Sequence, residues 1–108
     1  MSHRDWMEEL IREKVFLRLR QELPYTVKVE VTDMSSPNDE TERIEATVWT
    51  TEERYKRMLI GAGAQMIKQI GMDARKELEA SMGKKVFLQL EVQVDPEWPK
   101  RFLYATRS

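Results

Sequence analysis

Two closely spaced glycines are the clearest candidate for a binding site in this chain. Gly61 and Gly63 stand between two predicted helices in the segment LIGAGAQMIKQIG, residues 59–71. Because glycine has no side chain, an extended ligand can lie directly against the backbone at such a corner. The free N–H groups and the positive dipole end of the following helix favour an anion. The corner therefore predicts binding of phosphate groups.

Cationic and apolar side chains surround this corner. Lys56 and Arg57 precede it and Lys68 follows it, so each can supply positive charge to a phosphate at about one helical turn's reach. Ile60 and Ile67 stand beside the corner and form a predicted apolar floor for bases. The candidate site comprises Lys56, Arg57, Ile60, Gly61, Ala62, Gly63, Ala64, Ile67 and Lys68.

Charge is distributed unevenly along the 108 residues, although the net charge is only −1. Residues 1–53 contain 7 basic and 13 acidic side chains, a balance of −6, whereas residues 54–85 contain 8 basic and 3 acidic ones, a balance of +5. The remaining residues are neutral in sum. The local field, and not the total charge, is what a phosphate meets. The glycine corner lies inside the basic segment.

Catalytic chemistry has little support in this sequence. His3 is the only histidine and cysteine is absent, which excludes a histidine triad, a multi-histidine metal site and a thiolate site. The run Gly83, Lys84, Lys85 lacks both the earlier glycine and the hydroxyl of a phosphate-binding loop. We therefore expect a protein that is not an enzyme and that needs no metal and no cofactor.

The first half of the chain predicts one helix and two strands. Leucine, isoleucine, valine and phenylalanine recur at helical spacing from Asp5 to Leu23, and Pro24 stops this helix. The segment TVKVEV alternates as a half-buried strand, and a second alternating strand runs from Arg43 to Thr50. The polar segment DMSSPNDETE between them predicts an exposed loop.

The second half predicts two helices and a strand. Thr50 and Glu53 have the spacing of a capping box, so a short helix is expected from there to Ile60, with Gly61 ending it in a left-handed turn. A longer helix restarts at about Ala64 and ends at Met82, and the segment VFLQLEVQV, residues 86–94, alternates as the last strand. About thirty residues of helix between the last two strands allow a right-handed parallel crossover.

The fold class that follows is α+β, with the order α-β-β-α-α-β, a three-stranded mixed sheet and the helices packed on one face. We expect a single domain over residues 1–108, in which residues 1–9 are a helix start or N-terminal extension and residues 99–108 a C-terminal tail. No segment reaches membrane-spanning length and no signal segment stands at the start. A soluble cytoplasmic monomer is therefore expected, with the mitochondrial matrix as the alternative location.

Two aromatic side chains, Trp49 and Phe87, are predicted on the open face of the sheet. Such residues stack bases in some sheet-based RNA binders. Glu30, Glu45 and Glu91 share this face, however, and repel phosphates. The sequence favours a partner-contact surface here, or plain shielding, over a stacking platform.

Three stretches of this sequence resemble a known family. The segments REKVFLRLRQELPYTVKVEV, LIGAGAQMIKQIGMDARKELEASMGKKVFLQLEVQV and DPEW resemble the C-terminal type II KH domain of the Era GTPases, without the GTPase domain. The resemblance covers residues 11–98. It implies the fold described above and binding of single-stranded RNA, ribosomal RNA near the 3′ end of the small-subunit molecule, during ribosome assembly on the small subunit.

The resemblance also implies a role for the corner, which is Gly-x-x-Gly in that family, often with lysine in the middle, and grips the RNA backbone. Here the loop positions are Gly61, Ala62, Gly63 and Ala64. Alanine suits the first turn of a helix, so the fold is expected to survive. The RNA is expected in a groove between the helix pair and the strand Arg43 to Thr50. The alternatives are a protein-interaction or scaffold module that has lost RNA binding, and a regulatory fragment that docks on a separate nucleotide hydrolase.

Overall fold

The computed structural model of the protein describes residues 2–19 and 27–101. The predicted order of elements is confirmed, with a short 3₁₀ turn, Ala62–Ala64, between the last two helices. The elements are α1 (His3–Leu19), β1 (Lys28–Asn38), β2 (Thr41–Thr50), α2 (Glu53–Ile60), α3 (Gln65–Met82) and β3 (Lys85–Val94).

The three strands form one mixed sheet in the order β1-β2-β3. β1 pairs antiparallel with β2, and β2 pairs parallel with β3, as the crossover argument predicted. Alternate strand residues and the apolar stripes of the helices form one core on one side of the sheet, so the opposite face is open. The buried apolar residues of the core are Met7, Leu10, Ile11, Val15, Leu19, Val27, Val29, Val31, Ile44, Ala46, Val48, Leu59, Ile70, Ala74, Leu78, Val86 and Val92.

Helix α1 begins two residues earlier than expected. The backbone N–H of Asp5 donates to the Ser2 hydroxyl at 3.0 Å, and the backbone N–H of Ser2 faces the Asp5 carboxylate at 3.4 Å. This reciprocal arrangement is a capping box with an aspartate at its third position. The predicted end of the helix at Leu23 and its stop at Pro24 lie outside the described residues.

The prediction of an exposed loop between the first two strands is wrong. β1 continues to Asn38 and β2 begins at Thr41, so most of that segment is a hairpin. The Asn38 side chain accepts a hydrogen bond from the backbone N–H of Glu40 at 2.8 Å, which closes the tight turn. Register shifts lie between Val31 and Asp33 and between Ser35 and Asn38. Because this part of the hairpin is almost entirely exposed, its residues show no alternation to signal a strand.

The predicted capping box at the start of α2 is also wrong. Thr50 is the last residue of β2 and is fully buried, and its backbone carbonyl accepts the N–H of Asp95 at 2.8 Å. The residue at the N-cap is Glu52, and it makes no side-chain capping bond. The pairing of β2 with β3 extends to Thr50 and Val94, so Thr50 is held in the sheet and cannot cap the helix.

Ion pairs connect α1 to α3 on the outside of the helical layer. The Arg18 Nε lies 2.7 Å from Asp73 Oδ2, and the Lys14 Nζ lies 2.6 Å from Glu77 Oε1. The hydrogen bond from Arg18 lowers the pKa of the Asp73 carboxyl, partial burial opposes this shift, and the positive charge of Arg18 adds to it. These contacts connect α1 to the helix that begins at the glycine corner, in addition to the apolar packing of the two helices. Within the described residues, no helix is long and apolar enough to cross a bilayer.

The contribution of Asp73 to stability is expected to depend on pH. Because its folded-state pKa is lower than its unfolded value of about 4, the carboxylate stabilises the fold above about pH 4, and this contribution is lost as the pH falls through the folded-state pKa. Asp73→Asn is therefore expected to lower the melting temperature slightly at pH 7, by an amount that shrinks in acid. Thermal unfolding over a pH series measures this. Asp39→Asn, in the hairpin turn, is the control, and a pH-independent effect of Asp73→Asn would contradict the prediction.

Candidate nucleic-acid interface

The corner between α2 and α3 begins with a glycine that the backbone requires. Gly61 ends α2 as predicted, and its N–H donates to the Arg57 carbonyl at 2.8 Å. Its φ of 75° is positive, but its ψ of 172° is extended, so the expected left-handed turn is not formed at this residue. A Cβ at this position would lie 2.8 Å from the Met66 Cβ. The corner therefore needs glycine here both for its dihedral angles and for the close approach of α3.

The left-handed conformation occurs two and three residues later. Gly63 has φ 60° and ψ 24°, and Ala64 has φ 62° and ψ 23°. Ala64 is the one non-glycine residue with a positive φ among residues 2–19 and 27–101. The expectation that Ala64 lies comfortably in the first helical turn is wrong, because the helix begins at Gln65 and Ala64 is its N-cap residue. Ala64 therefore has the left-handed backbone conformation that glycine usually occupies.

Ala64→Gly is expected to stabilise the domain by about 0.5–1 kcal/mol, because it removes the strain of the left-handed alanine, partly offset by the greater freedom of glycine in the unfolded chain. Urea unfolding monitored by circular dichroism measures the difference. Ala62→Gly is the matched control, since Ala62 has no positive φ and gains no relief from glycine. Equal effects of the two substitutions would show that Ala64 is not strained.

A groove lies beside the corner, between α3 and β3. Its volume is about 440 Å³. Four half-buried residues form an apolar floor, and exposed side chains, two of them cationic, form the rim. The floor consists of Ile67, Gly71, Leu88 and Leu90, and the rim of Lys68, Met72, Arg75 and Gln89.

The expected position of this groove beside β2 is wrong. β2 is the central strand and pairs with a neighbour along each of its edges, whereas β3 has a free edge in the described part of the chain. Of the three strands, β3 is the one that α2 and α3 contact most. The edge of β3 can therefore present unpaired backbone N–H and C=O groups beside the groove.

Only part of the predicted site lies in this groove. Ile67 and Lys68 line it, and the loop of residues 61–64 immediately precedes the first turn of α3, from which both side chains project. Lys56, Arg57 and Ile60 lie on α2, which ends at the same corner, and they do not line the groove between α3 and β3. Whether the nine predicted residues contact a ligand stays a prediction.

The rim residues Met72 and Arg75 were missed by sequence reasoning. They follow Lys68 at spacings of four and three residues, so they continue one stripe of α3, and this periodicity is the signal that could have identified them. Met72 is 42% exposed, which is unusual for a large apolar side chain. Lys68 and Arg75 form no ion pair with any residue in the described ranges, so their charges are available to an anionic ligand.

An α-β-β-α-α-β domain with a glycine loop between its last two helices is a type II KH fold. A family model described as a KH domain matches residues 22–99. The chain belongs to the KH domain family. Among the residues that the structure describes, no group of three or more histidine, cysteine, aspartate or glutamate side chains is arranged to hold a metal ion.

The relatives that this chain matches include Era GTPases of several bacteria. It is 41% identical over 97 residues to the GTPase Era of Deinococcus deserti, covering 90% of this chain and 32% of that protein. It is 46% identical over 93 residues to the GTPase Era of Caldicellulosiruptor saccharolyticus, covering 85% of this chain and 31% of that protein. The chain therefore spans about a third of the length of these relatives.

Solved structures of Era have the same fold over nearly the whole chain. A variant of Aquifex aeolicus Era bound to GDP and aluminium fluoride superposes with a TM-score of 0.87 at 32% identity, covering 98% of this chain and 36% of that one. Era in complex with MgGDPNP and nucleotides 1506–1542 of 16S ribosomal RNA superposes with a TM-score of 0.87 at 31% identity, with the same coverage.

Proposed function

We propose that this domain binds single-stranded RNA and catalyses no reaction itself. The observation that carries the proposal is the groove between α3 and β3, whose apolar floor adjoins a bare backbone corner and two cations that form no ion pair within the described residues. An apolar floor suits the faces of unstacked bases, and the cations suit the phosphates that join them. In double-stranded RNA the bases are stacked and paired, so they cannot enter such a groove.

The proposed orientation follows from the positions of these groups. The RNA backbone crosses residues 61–64, and the bases lie along Ile67, Leu88 and Leu90. Lys68 and Arg75 on the rim neutralise phosphates, and Lys56 and Arg57 extend the positive field on the α2 side. The edge of β3, which pairs with no other strand in the described part of the chain, offers backbone donors and acceptors to the base edges, which is a means of reading sequence in unpaired RNA.

We further propose that the RNA is ribosomal, namely the 3′ end of small-subunit ribosomal RNA, and that the domain acts in assembly of the small subunit. Support comes from the relatives. They are Era proteins, and one solved Era structure is a complex with nucleotides of 16S ribosomal RNA. The loop of this chain differs from the Gly-x-x-Gly pattern at Ala64, but the backbone there retains a left-handed conformation.

Backbone amide NMR tests the proposal. A short unpaired RNA from the 3′ end of small-subunit ribosomal RNA is titrated into the protein at low and moderate salt. Shifts are expected in residues 61–75 and in β3, and they are expected to weaken as salt rises. The same RNA annealed to its complement is the control and is expected to leave the groove unshifted. Absence of shifts with the unpaired RNA at low salt would overturn the proposal.

A further inference from the structure

The open face of the sheet has one covered end and one exposed end. At the covered end, the Trp49 Nε1 donates to Glu30 Oε1 at 3.0 Å, and the Arg101 guanidinium lies over the Trp49 ring at 4.7 Å. At the other end the Phe87 side chain is 49% exposed. The two aromatic residues therefore do not form one surface, and Phe87 is the one available to a ligand.

Positive charge is concentrated around Phe87. Arg43 is its cross-strand partner and lies 5.9 Å from the ring centroid, and the Lys85 Nζ lies 5.1 Å from it. Both distances are near the limit of about 6 Å for a cation–π contact, so these contacts are weak and can be replaced. Asp33 and Glu45 occupy the next row of the sheet, paired with each other across the strands. An anionic ligand at Phe87 is therefore favoured on the side of β3, away from these carboxylates.

A second groove connects this position with the first. It has a volume of about 530 Å³, and its lining on the open face includes Arg43 and Phe87 and also the carboxylates of Asp33 and Glu45. Its lining shares Arg75, Leu88 and Gln89 with the groove between α3 and β3. The two grooves therefore meet at the edge of β3 that is free within the described residues, and the cation Arg75 lines both of them.

We propose that Phe87 is a second base-stacking subsite for the strand of RNA that occupies the first groove. A nucleotide leaving that groove passes Arg75, crosses the edge of β3 and places its base on the Phe87 ring, while Arg43 and Lys85 neutralise the adjoining phosphate. Stacking on an aromatic ring accepts any base, because every base has a π-face. This inference rests on the proposed function, and it is favoured over a protein partner by the continuity of the grooves and by the cations around the ring.

Two RNA lengths test the subsite by fluorescence anisotropy. The short RNA has about four nucleotides, the number that a KH loop clamps, and the long RNA is the same molecule extended at either end. Phe87→Ala is expected to weaken binding of the long RNA by about fivefold or more, the effect of losing one stacked base, and to leave the short RNA unchanged. Replacing the added nucleotides by abasic ones is expected to cause the same loss, after which Phe87→Ala has no further effect.

Controls separate stacking from other effects. Phe87→Leu keeps an apolar side chain but lacks the ring, so it is expected to behave like Phe87→Ala. Leu17→Ala removes a 60% exposed apolar side chain from α1, away from both grooves, and is expected to change neither affinity.

Three other results would overturn the subsite, and one of them would also overturn the proposed function. Unchanged binding of the long RNA in Phe87→Ala, with the short RNA still bound, would overturn the subsite and leave the proposed function standing; the exposed ring would then be open to a protein partner. Equal losses for both lengths would also overturn it, because Phe87 would then support the first groove. Failure of the wild-type protein to bind either RNA would overturn the proposed function and the subsite together.

Discussion

Gly61→Ala is expected to destabilise the domain by about 2–6 kcal/mol, from backbone strain of about 1–3 kcal/mol and a steric clash of similar size. The φ of 75° with ψ of 172° is a conformation that only glycine adopts readily. The added methyl group would lie 2.8 Å from the Met66 Cβ and 3.0 Å from the Met66 backbone nitrogen, and these atoms belong to the first turn of α3 and cannot rotate away. Urea unfolding measures the loss.

Gly63→Ala is the matched control for this prediction. Gly63 lies two residues away and also has a positive φ, but a Cβ there would meet nothing within 4 Å. Its expected cost is the left-handed strain alone, about 1 kcal/mol. The two variants therefore separate steric contact from dihedral strain. If they lose equal stability, the close approach of α3 to Gly61 does not hold the corner together.

The spacing of apolar residues predicted most of the helices and strands, because each of these elements buries only one of its sides in the core. Ile44, Ala46 and Val48 on β2 all face the core, and Ile70, Ala74 and Leu78 on α3 form one buried stripe. Wherever an element covers the core, its sequence carries the period of its backbone. The order of the elements and the length of the crossover then restricted the topology to the one observed.

The two wrong predictions of secondary structure concern residues at which the pattern of burial does not show where an element begins or ends. The outer half of β1 is exposed except for the partly buried Met34, so its composition resembles that of a loop although the strands remain paired. Thr50 and Glu53 match a capping motif, but whether a residue caps a helix depends on where the strand before it ends, and strand pairing decides that. Short motifs at the junction of two elements are thus weaker evidence than periodicity within an element.

The sequence predicted the glycine corner of the candidate site but not the strand that lines the groove beside it. A glycine corner in a basic segment can be recognised from sequence, but the strand that completes a groove is a property of sheet order. Leu88 and Leu90 alternate as core residues, yet both are only half-buried, because β3 is an edge strand and α3 leaves part of it uncovered. The left-handed conformation of Ala64 gives no sequence signal, since alanine ordinarily favours a right-handed helix.

Lys68→Glu is expected to have the largest effect on RNA affinity among single charge changes in the groove. Lys68 is exposed on its rim, next to Ile67 and one turn after the glycine corner, and it forms no ion pair within the described residues. Losing a charge-assisted phosphate contact and introducing a carboxylate is expected to weaken binding by about 10- to 100-fold at low salt. The dependence of log affinity on log salt is expected to become shallower by about 0.7 for each lost phosphate contact.

Lys76→Glu distinguishes a phosphate contact from a general effect of net charge. Lys76 is exposed on the same helix and undergoes the same charge change, but it lines neither groove. At moderate salt its long-range effect is screened over about 8–10 Å, so the affinity is expected to change by less than about threefold. Titration of both variants with the unpaired RNA over a salt series measures the contrast. Equal losses in the two variants would show that the RNA responds to the overall field, and that the groove between α3 and β3 is not where its phosphates lie.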